Sequence, residues 1–293
     1  MIDGARSVPL LLLMNPNARN GVAGEEVRRE ITDAGLNAIY FTPKDKGEAN
    51  ALIRSHGADI SAVVVGGGDG TISAALPALT ELGLPLGILP LGSANDFART
   101  LGIPENTKEA VATIARGNVR TVDVSDVNGN LFVNSATIGL PCEITADITH
   151  GAKKALGPLA SLTLLPRVWH YARPFHASLQ YGGVTKVVVT NAMVVGNGRY
   201  EGGFPVKYER VDDGLLNVTI STTRNLFETL AAVFFELRKT SPHHNRVLRF
   251  DTNELSIGTP VPRRISADGE LVSMTPATFK VHRRALSVFA NPV

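Results

Sequence analysis

The stretch VVVGGGDGTISAAL, Val63 to Leu76, decides the fold, because an apolar β-branched run passes directly into glycines and then into a helix-like pattern. A continuous apolar run of this kind is typical of a strand buried on both faces of a parallel sheet. Glycines at its end allow a tight turn that points backbone N–H groups at an anion, and the positive end of the following helix adds to the attraction. We therefore predict a phosphate-binding loop at this point. Its residues are Gly66, Gly67, Gly68, Asp69, Gly70 and Thr71.

Strand-like and helix-like segments alternate along the first 120 or so residues, which predicts a parallel sheet covered by helices on both faces. A proline at position 77 predicts that the helix after the glycine loop is kinked or starts afresh there. The predicted strands are PLLLLMNP, NAIYFT, SAVVVGG and PLGILP, and the predicted helices are GEEVRREITDAG, GEANALIRSHGA, TISAALPALTEL and a segment that begins near Ser93 to Asp96.

From about Val122 the pattern changes to short strands separated by glycine, proline and asparagine, which is typical of an antiparallel sandwich. Asn128-Gly129 predicts a hairpin between two of these strands. The sequence thus predicts an α/β protein of two domains. Residues 1–122 form a doubly wound α/β/α domain, residues 123–283 form an antiparallel β-sandwich, and residues 284–293 pack back on the first domain.

The composition and charge of the chain exclude some classes of protein. The chain has 293 residues, of which 44% are hydrophobic, so it can bury a sizeable core. Its 29 basic and 27 acidic residues nearly balance, which argues against a nucleic-acid partner bound through bulk charge. One cysteine cannot form an internal disulfide, which favours a cytoplasmic protein. No apolar run approaches the 18 or so residues of a membrane span, so we expect no transmembrane segment.

Two further loops should lie beside the glycine loop. NPNARNG, Asn15 to Gly21, follows the first strand, and LPLGSANDFA, Leu89 to Ala98, follows the strand after the glycine loop. The carboxyl ends of parallel strands share one edge, where open α/β sheets bind ligands. Neither GxxxxGK[ST] nor GxGxxG before a helix occurs in this region, which argues against a P-loop and an ordinary dinucleotide site. The added candidate ligand contacts are Asn15, Ser93 and Asn95, and Asp69 and Asp96 are carboxylates available for a metal or water.

The motifs together resemble the diacylglycerol kinase catalytic-domain family, which includes bacterial lipid kinases, sphingosine kinases and ceramide kinases. NAD kinases and phosphofructokinases carry strings similar to GGDGT, whereas PLGSANDFA followed much later by DGE is far more specific to lipid kinases. The motifs that carry the resemblance occur in order as NPNARNG, GGGDGTI, PLGSANDFART, GNGRYEGGFP, DDGLLNV and ADGE, between Asn15 and Glu270.

The resemblance implies an ATP-dependent lipid kinase that transfers the γ-phosphate to the hydroxyl of diacylglycerol or a related lipid alcohol. It implies that ATP contacts Gly66 to Thr71, Ser93 and, after the second strand, Thr42. By the same resemblance the sandwich holds the lipid, and Glu270 or Asp268 is the general base. A carboxylate within hydrogen-bond reach of an alcohol can take its proton.

The resemblance also implies Mg²⁺, with an extra ion held by Asp213 and the backbone carbonyls of Arg210 and Leu215. Oxygen ligands suit that hard cation, and Asp96 is a further candidate. The implied partner is a lipid alcohol at the inner face of the membrane, reached by peripheral association. The stretch from His150 to Phe175 fits either an interfacial helix or two helices that pack on the sandwich. Oligomeric state is open, with a homodimer as one alternative.

Two alternatives stay open. An NAD kinase-like enzyme is disfavoured by PLGSANDFA and by the late ADGE. A non-catalytic nucleotide- or lipid-binding regulator is supported by Ser73-Ala74, because the family often has Asn-Glu there. The family also often has threonine where this chain has Ser93, and the serine keeps the hydroxyl.

Overall fold

The computed structural model describes residues 8–16, 22–147, 173–197, 200–201, 204–205, 211–222, 228 and 247–291. The chain divides into two compact units. The first comprises residues 1–124, 198–213 and 282–293, and the second comprises residues 125–197 and 214–281. Residues 198–213, which the sequence pattern left within the sandwich, group with the first unit. There the carbonyl of Val211 accepts the N–H of Asp123 at 2.8 Å, and Asp212 pairs with Arg120 at 3.1 Å.

The first unit contains the predicted parallel sheet, in the order β2-β1-β3-β4. The central strands β1 and β3 are almost completely buried, as continuous apolar runs require. The unit's elements are β1 Leu10–Met14, α1 Val22–Asp33, β2 Ala38–Phe41, α2 Lys46–His56, β3 Ala62–Gly67, α3 Asp69–Leu82, β4 Leu86–Pro90, α4 Asp96–Thr100, α5 Thr107–Ala115, β11 Tyr200–Glu201, β12 Phe204–Pro205 and parts of β5 Val119–Val127 and β18 Ala277–Phe289. Strand β18 adds to this sheet in parallel, with Val288 opposite Leu86.

Helix α3 runs through Pro77 without restarting. The side chain of Asn50, on α2, is buried against this point. Its Nδ2 donates to the carbonyl of Ala74 at 2.6 Å, and its Oδ1 accepts the N–H of Ala78 at 2.9 Å. Proline has no N–H and its ring disturbs the preceding helical turn, so the backbone there needs partners from elsewhere. The amide of Asn50 supplies one donor and one acceptor.

Replacing Asn50 with leucine should lower the free energy of unfolding by about 2–4 kcal/mol, because two buried backbone groups lose their partners. In a Pro77→Ala background the helix can close its own hydrogen bond from Ala78, so the cost of Asn50→Leu should shrink. Denaturant unfolding of the two single variants and the double variant measures this coupling. An equal cost in both backgrounds would assign Asn50 a role unrelated to the proline.

The second unit is an antiparallel β-sandwich, as predicted. One sheet has the order β14-β13-β10-β7-β16-β17, and β18, β15, β8 and β9 follow one another in the other layer. A core that includes Phe132, Leu179, Val195 and Phe279 lies between the layers. The elements are β6 Asn130–Phe132, β7 Ser135–Gly139, α6 Leu140–Asp147, β8 Phe175–Tyr181, β9 Val184–Thr190, β10 Ala192–Gly196, β13 Leu216–Ser221, β14 Val247–Thr252, β15 Glu254–Gly258, β16 Arg264–Ala267 and β17 Glu270–Met274.

The predicted hairpin turns at Asn128 and Gly129, both with positive φ, of 51° and 84°. Strand β5 pairs with β6 on either side of it. The second predicted strand is in fact two, because β6 ends at Phe132 and β7 starts in the other sheet. Between them the backbone N–H groups of Val133 and Asn134 bond to the carboxylate of Asp268 instead of to a neighbouring strand. The side chain of Asp268 thus stabilises the turn at which the chain passes from one sheet to the other.

Candidate functional site

The loops after β3 and β4 touch each other, as the sequence predicted. The strands pair up to Gly67 opposite Pro90, and the N–H of Leu91 donates to the carbonyl of Gly67 at 3.0 Å. Gly68 and Gly92 then meet backbone to backbone: a Cβ on Gly92 would collide with the Cα of Gly68. Gly92 therefore has no room for a side chain, and a Cβ on Gly68 would lie 3.0 Å from the Cα of Gly92.

Protein atoms also fill the space beside the two preceding glycines. A Cβ on Gly66 would collide with the side chain of Met14, and one on Gly67 would collide with the side chain of Thr71. The sequence analysis explained the bare backbone by a tight turn that points backbone N–H groups at an anion, and that stays a prediction. At Gly66 and Gly67 the structure adds a second reason for glycine, because the positions where their side chains would lie are occupied by neighbouring side chains.

Asp69, the first residue of α3, joins the two loops through its carboxylate. Oδ2 accepts the N–H of Asp96 at 3.1 Å, and Oδ1 accepts the N–H of Phe97 at 2.9 Å. These N–H groups open the short helix α4, so the carboxylate caps that helix. The residue was predicted as a nucleotide contact and as a carboxylate for metal or water. In the structure it fixes the position of the neighbouring loop, and the side chain of Asp96 is buried.

Asn95 shapes the loop after β4. Its φ of 52° lies in the left-handed region, which asparagine tolerates better than most residues. Its Oδ1 accepts the N–H of Gly92 at 2.9 Å, and its Nδ2 donates to the carbonyl of Gly92 at 3.1 Å. Ser93 lies exposed within this loop. Sequence reasoning did not single out Gly92, although a glycine next to the predicted contact Ser93 was a usable signal.

The loop after β1 reaches the same edge. The N–H of Asn15 donates to the carbonyl of Gly66 at 2.9 Å, and its Nδ2 donates to Oγ1 of Thr71 at 2.8 Å. Thr42 is exposed just beyond β2, the strand next to β1. The structure therefore brings Asn15, Asp69, Thr71 and Asn95 together. Thr42 lies at the same edge of the sheet.

The amino end of α3 gives this edge its chemistry. Its N-cap residue, Gly68, has no side chain with which to cap the first turn, and the carboxylate of Asp69 is turned toward α4. The first N–H groups of a helix and the helix dipole favour an anion. Phosphate groups suit such a donor set.

The acidic pair of the second unit lies on the β16–β17 hairpin, whose turn is formed by Asp268 and Gly269 with φ of 46° and 86°. Oδ2 of Asp268 accepts the N–H of Val133 at 3.0 Å, and Oδ1 accepts the N–H groups of Asn134 and Ser135 at 2.9 and 3.2 Å. Glu270 begins β17 and is half-buried. The two carboxylates thus have different surroundings, since that of Asp268 is committed to three backbone donors.

Replacing Asp268 with alanine should lower the free energy of unfolding by about 3–5 kcal/mol, because three backbone N–H groups lose a charged acceptor. Chemical denaturation of this variant beside Glu254→Gln measures the difference. The Glu254 variant is expected to unfold like the wild-type protein, because that carboxylate is exposed and its ion pair with Lys280 is exposed as well. If both variants were as stable as wild type, the carboxylate of Asp268 would have no structural role at the corner between β6 and β7.

The structure describes only part of the predicted magnesium site. Asp213 and Leu215 are partly buried, and Arg210 lies outside the described residues. Carboxylate and carbonyl oxygens are ligands that Mg²⁺ accepts. Within the described ranges, no cluster of three or more His, Cys, Asp or Glu side chains is suited to hold a metal ion. The magnesium site at Asp213 stays a prediction.

The stretch from His150 to Phe175, for which an interfacial helix and two helices packed on the sandwich were both open, falls almost entirely on residues 148–172, outside those that the structure describes. In the described part of the chain, no helix is both long enough and apolar enough to cross a bilayer.

Two family models match the chain. The diacylglycerol kinase catalytic domain matches residues 9–127, and the YegS C-terminal NAD kinase beta sandwich-like domain matches residues 155–290. A Pseudomonas aeruginosa protein named "Probable lipid kinase YegS-like" is 37% identical over 73% of this chain and 72% of its own length. The diacylglycerol kinase of Bacillus subtilis is 29% identical over 87% of this chain and 86% of its own length.

Solved structures show the same fold. The crystal structure of a diacylglycerol kinase from Bacillus anthracis matches 99% of both chains with a TM-score of 0.77 and 23% identity, which is evidence for the fold alone. The family models cover both the glycine loops and the Asp268–Glu270 hairpin. This chain belongs to the diacylglycerol kinase catalytic-domain family.

Proposed function

We propose that this protein is an ATP-dependent lipid kinase that transfers the γ-phosphate of ATP to the hydroxyl of diacylglycerol or a related lipid alcohol. The observation that carries the proposal is the pair of touching loops after β3 and β4, which flank the uncapped amino end of α3. Membership in a kinase family implies that ATP is the anionic ligand of these loops. The relatives named as lipid kinases support a lipid as the acceptor.

On the ATP side, the residues of this chain hold and orient the phosphates. The N–H groups at the start of α3 attract the phosphates, and the exposed hydroxyls of Ser93 and Thr42 are available as further donors. Asn15 and Asp69 position these groups through their bonds to Thr71 and to the α4 backbone. When bound, Mg²⁺ would neutralise phosphate charge, and Asp213 with the carbonyls of Arg210 and Leu215 is the proposed ligand set for an additional ion.

In the transfer step the acceptor oxygen forms a bond to the γ-phosphorus, and the bond from that phosphorus to the bridging β,γ-oxygen breaks, so that ADP leaves. The hydroxyl proton passes to a carboxylate, for which we propose Glu270. The surroundings of the two acidic residues support this choice. Asp268 already accepts three backbone N–H groups, so most of its acceptor capacity serves the corner between β6 and β7.

Transfer from γ-labelled ATP to a panel of lipid alcohols, with NAD present as a competing acceptor, tests the proposal. We expect label in a lipid and none in NAD. Label in NAD would indicate an NAD kinase-like enzyme, and ATP binding without any labelled acceptor would indicate a non-catalytic regulator. Because the substrate is a membrane lipid, we also propose peripheral association with the inner face of the membrane. A vesicle-binding assay can measure that association without turnover.

A further inference from the structure

One end of the sandwich carries a segment that is held in place yet exposes apolar side chains. It lies at the end of the β16–β17 hairpin opposite the Asp268–Gly269 turn. The N–H of Thr275 donates to the carbonyl of Arg263 at 2.9 Å, and the N–H of Arg263 donates to Oγ1 of Thr275 at 2.8 Å. Oγ1 of Thr259 bonds to the same threonine hydroxyl and to the carbonyl of Val261. Residues 259–263 are thus held by hydrogen bonds to Thr275, which directly follows β17.

Apolar side chains in and next to residues 259–263 are exposed to solvent. Val261 is 66% exposed, and Met274, which pairs with Arg264 across the hairpin, is 49% exposed. Pro260 and Pro262 are exposed on either side of the valine. Isolated exposed apolar residues are common on protein surfaces, but several on one ordered segment are typical of an interaction surface.

Arginines surround these residues. The guanidinium of Arg263 lies 4.6 Å from the centre of the Phe175 ring, and the exposed Arg173 and Pro174 immediately precede Phe175 in the chain. Arg264 is 56% exposed and pairs with Glu143 at 3.6 Å. We call this surface the docking tip. It comprises Arg173, Pro174, Pro260, Val261, Pro262, Arg263, Arg264 and Met274.

We propose that the docking tip binds the surface of an anionic phospholipid bilayer, with Val261 and Met274 entering the interface and Arg173 and Arg264 meeting lipid phosphates. The arginines of the docking tip complement a negative surface, where each cation contributes about 1 kcal/mol. Apolar side chains next to cations are the combination that interfacial binding uses. The inference deepens the proposed function and rests on it, because a lipid substrate is what requires the protein to bind a membrane. Binding itself does not require turnover.

The position of the tip also suits a lipid acceptor. Met274 and Glu270 are the two ends of the five-residue strand β17. At about 3.3 Å per residue, their backbones lie about 13 Å apart along the strand. The proposed base is therefore carried by the same hairpin that would contact the bilayer.

A fluorescent label at position 261 tests the contact directly. Cys142, the single cysteine, is buried, and burial raises the pKa of its thiol to about 12, so it should resist labelling. Val261→Cys can then carry an environment-sensitive dye, with Val187→Cys as the matched control. Val187 is 67% exposed and lies on β9 of the same unit. Phosphatidylglycerol vesicles should shift the emission to shorter wavelength at position 261 and leave it unchanged at 187.

Substitutions test whether the contact drives binding. Val261→Asp combined with Met274→Asp should weaken binding to phosphatidylglycerol vesicles by about tenfold or more, because two apolar side chains no longer gain from burial. Arg173→Gln combined with Arg264→Gln should reduce the preference for anionic over phosphatidylcholine vesicles. Val187→Asp should bind like wild type. Equal shifts at positions 261 and 187, no vesicle binding by the wild-type protein, or unchanged binding in the Asp double variant would overturn the proposal.

The outcomes separate this inference from the proposed function. The Asp double variant should still phosphorylate a detergent-dispersed acceptor, and Glu270→Gln should still bind vesicles. Suppose that vesicle binding depends on Val261 but the protein phosphorylates no lipid. The kinase proposal would then be wrong, and membrane binding by the docking tip would stand. A dye response at position 261 that rises with protein concentration without vesicles would assign the tip to a protein interface and remove the membrane proposal.

Discussion

Replacing Glu270 with glutamine is expected to lower the rate of lipid phosphorylation by a factor of about one hundred to ten thousand, the range typical for loss of a general base. The amide keeps the shape of the side chain and cannot take the proton of the acceptor hydroxyl. The affinity for ATP should not change, because the residues proposed to bind the nucleotide belong to the first unit. Initial rates at saturating ATP, with a separate nucleotide-binding titration, measure the two effects.

Glu254→Gln provides the matched control for that experiment. Glu254 begins β15 in the same unit, is largely exposed and pairs with Lys280 at 3.5 Å, an exposed contact that contributes little to stability. This variant should retain wild-type rates. If Glu270→Gln also retained them in an active enzyme, Glu270 would not be the base, and Asp268 would be the next residue to replace, followed by Asp69 or Asp96.

Replacing Gly92 with alanine is expected to weaken ATP binding by about a hundredfold. The added methyl group would collide with the Cα of Gly68 and lie 2.7 Å from Oδ1 of Asn95, so the loops after β3 and β4 must separate. A misplacement of about 1 Å in a binding site can cost about that factor. Isothermal titration with ATP measures the loss, and circular dichroism checks that the variant folds.

Gly24→Ala is the control for this substitution. Gly24 lies in α1, and outside its own helix backbone no atom of the described residues lies within 4 Å of the position that a Cβ would take. Alanine favours a helix by about 1 kcal/mol over glycine. ATP affinity should be unchanged in this variant. Wild-type ATP affinity in Gly92→Ala would show that contact between the two loops is not needed for the nucleotide.

The sequence predicted the parts of the fold that local patterns control. Buried apolar runs predicted β1, β3 and β4, and the Asn128-Gly129 pair predicted a hairpin, because two consecutive residues with positive φ suit few other sequences. The convergence of the loops followed from the rule that parallel strands end at one edge. These features depend on residues that are close together in the chain.

Contacts between distant residues could not be predicted in this way. The pattern around Pro77 indicated a kinked or restarted helix, but nothing local indicated that Asn50 would bond to the backbone on both sides of the proline. ADGE indicated an acidic turn, yet the three backbone donors of Asp268 lie more than 130 positions earlier in the chain. The ADGE motif made Asp268 a candidate general base, but in the structure its carboxylate accepts hydrogen bonds that stabilise the fold.

Single-turnover transfer tests the kinase proposal most directly. The protein, in excess over γ-labelled ATP, is mixed with diacylglycerol in detergent micelles, and the labelled products are separated. We expect the label to move from ATP into the phosphorylated lipid with the wild-type protein and to stay in ATP on the same time scale with Glu270→Gln. Label that remains in ATP with both proteins although ATP is bound, or that appears only as inorganic phosphate, would contradict a lipid kinase.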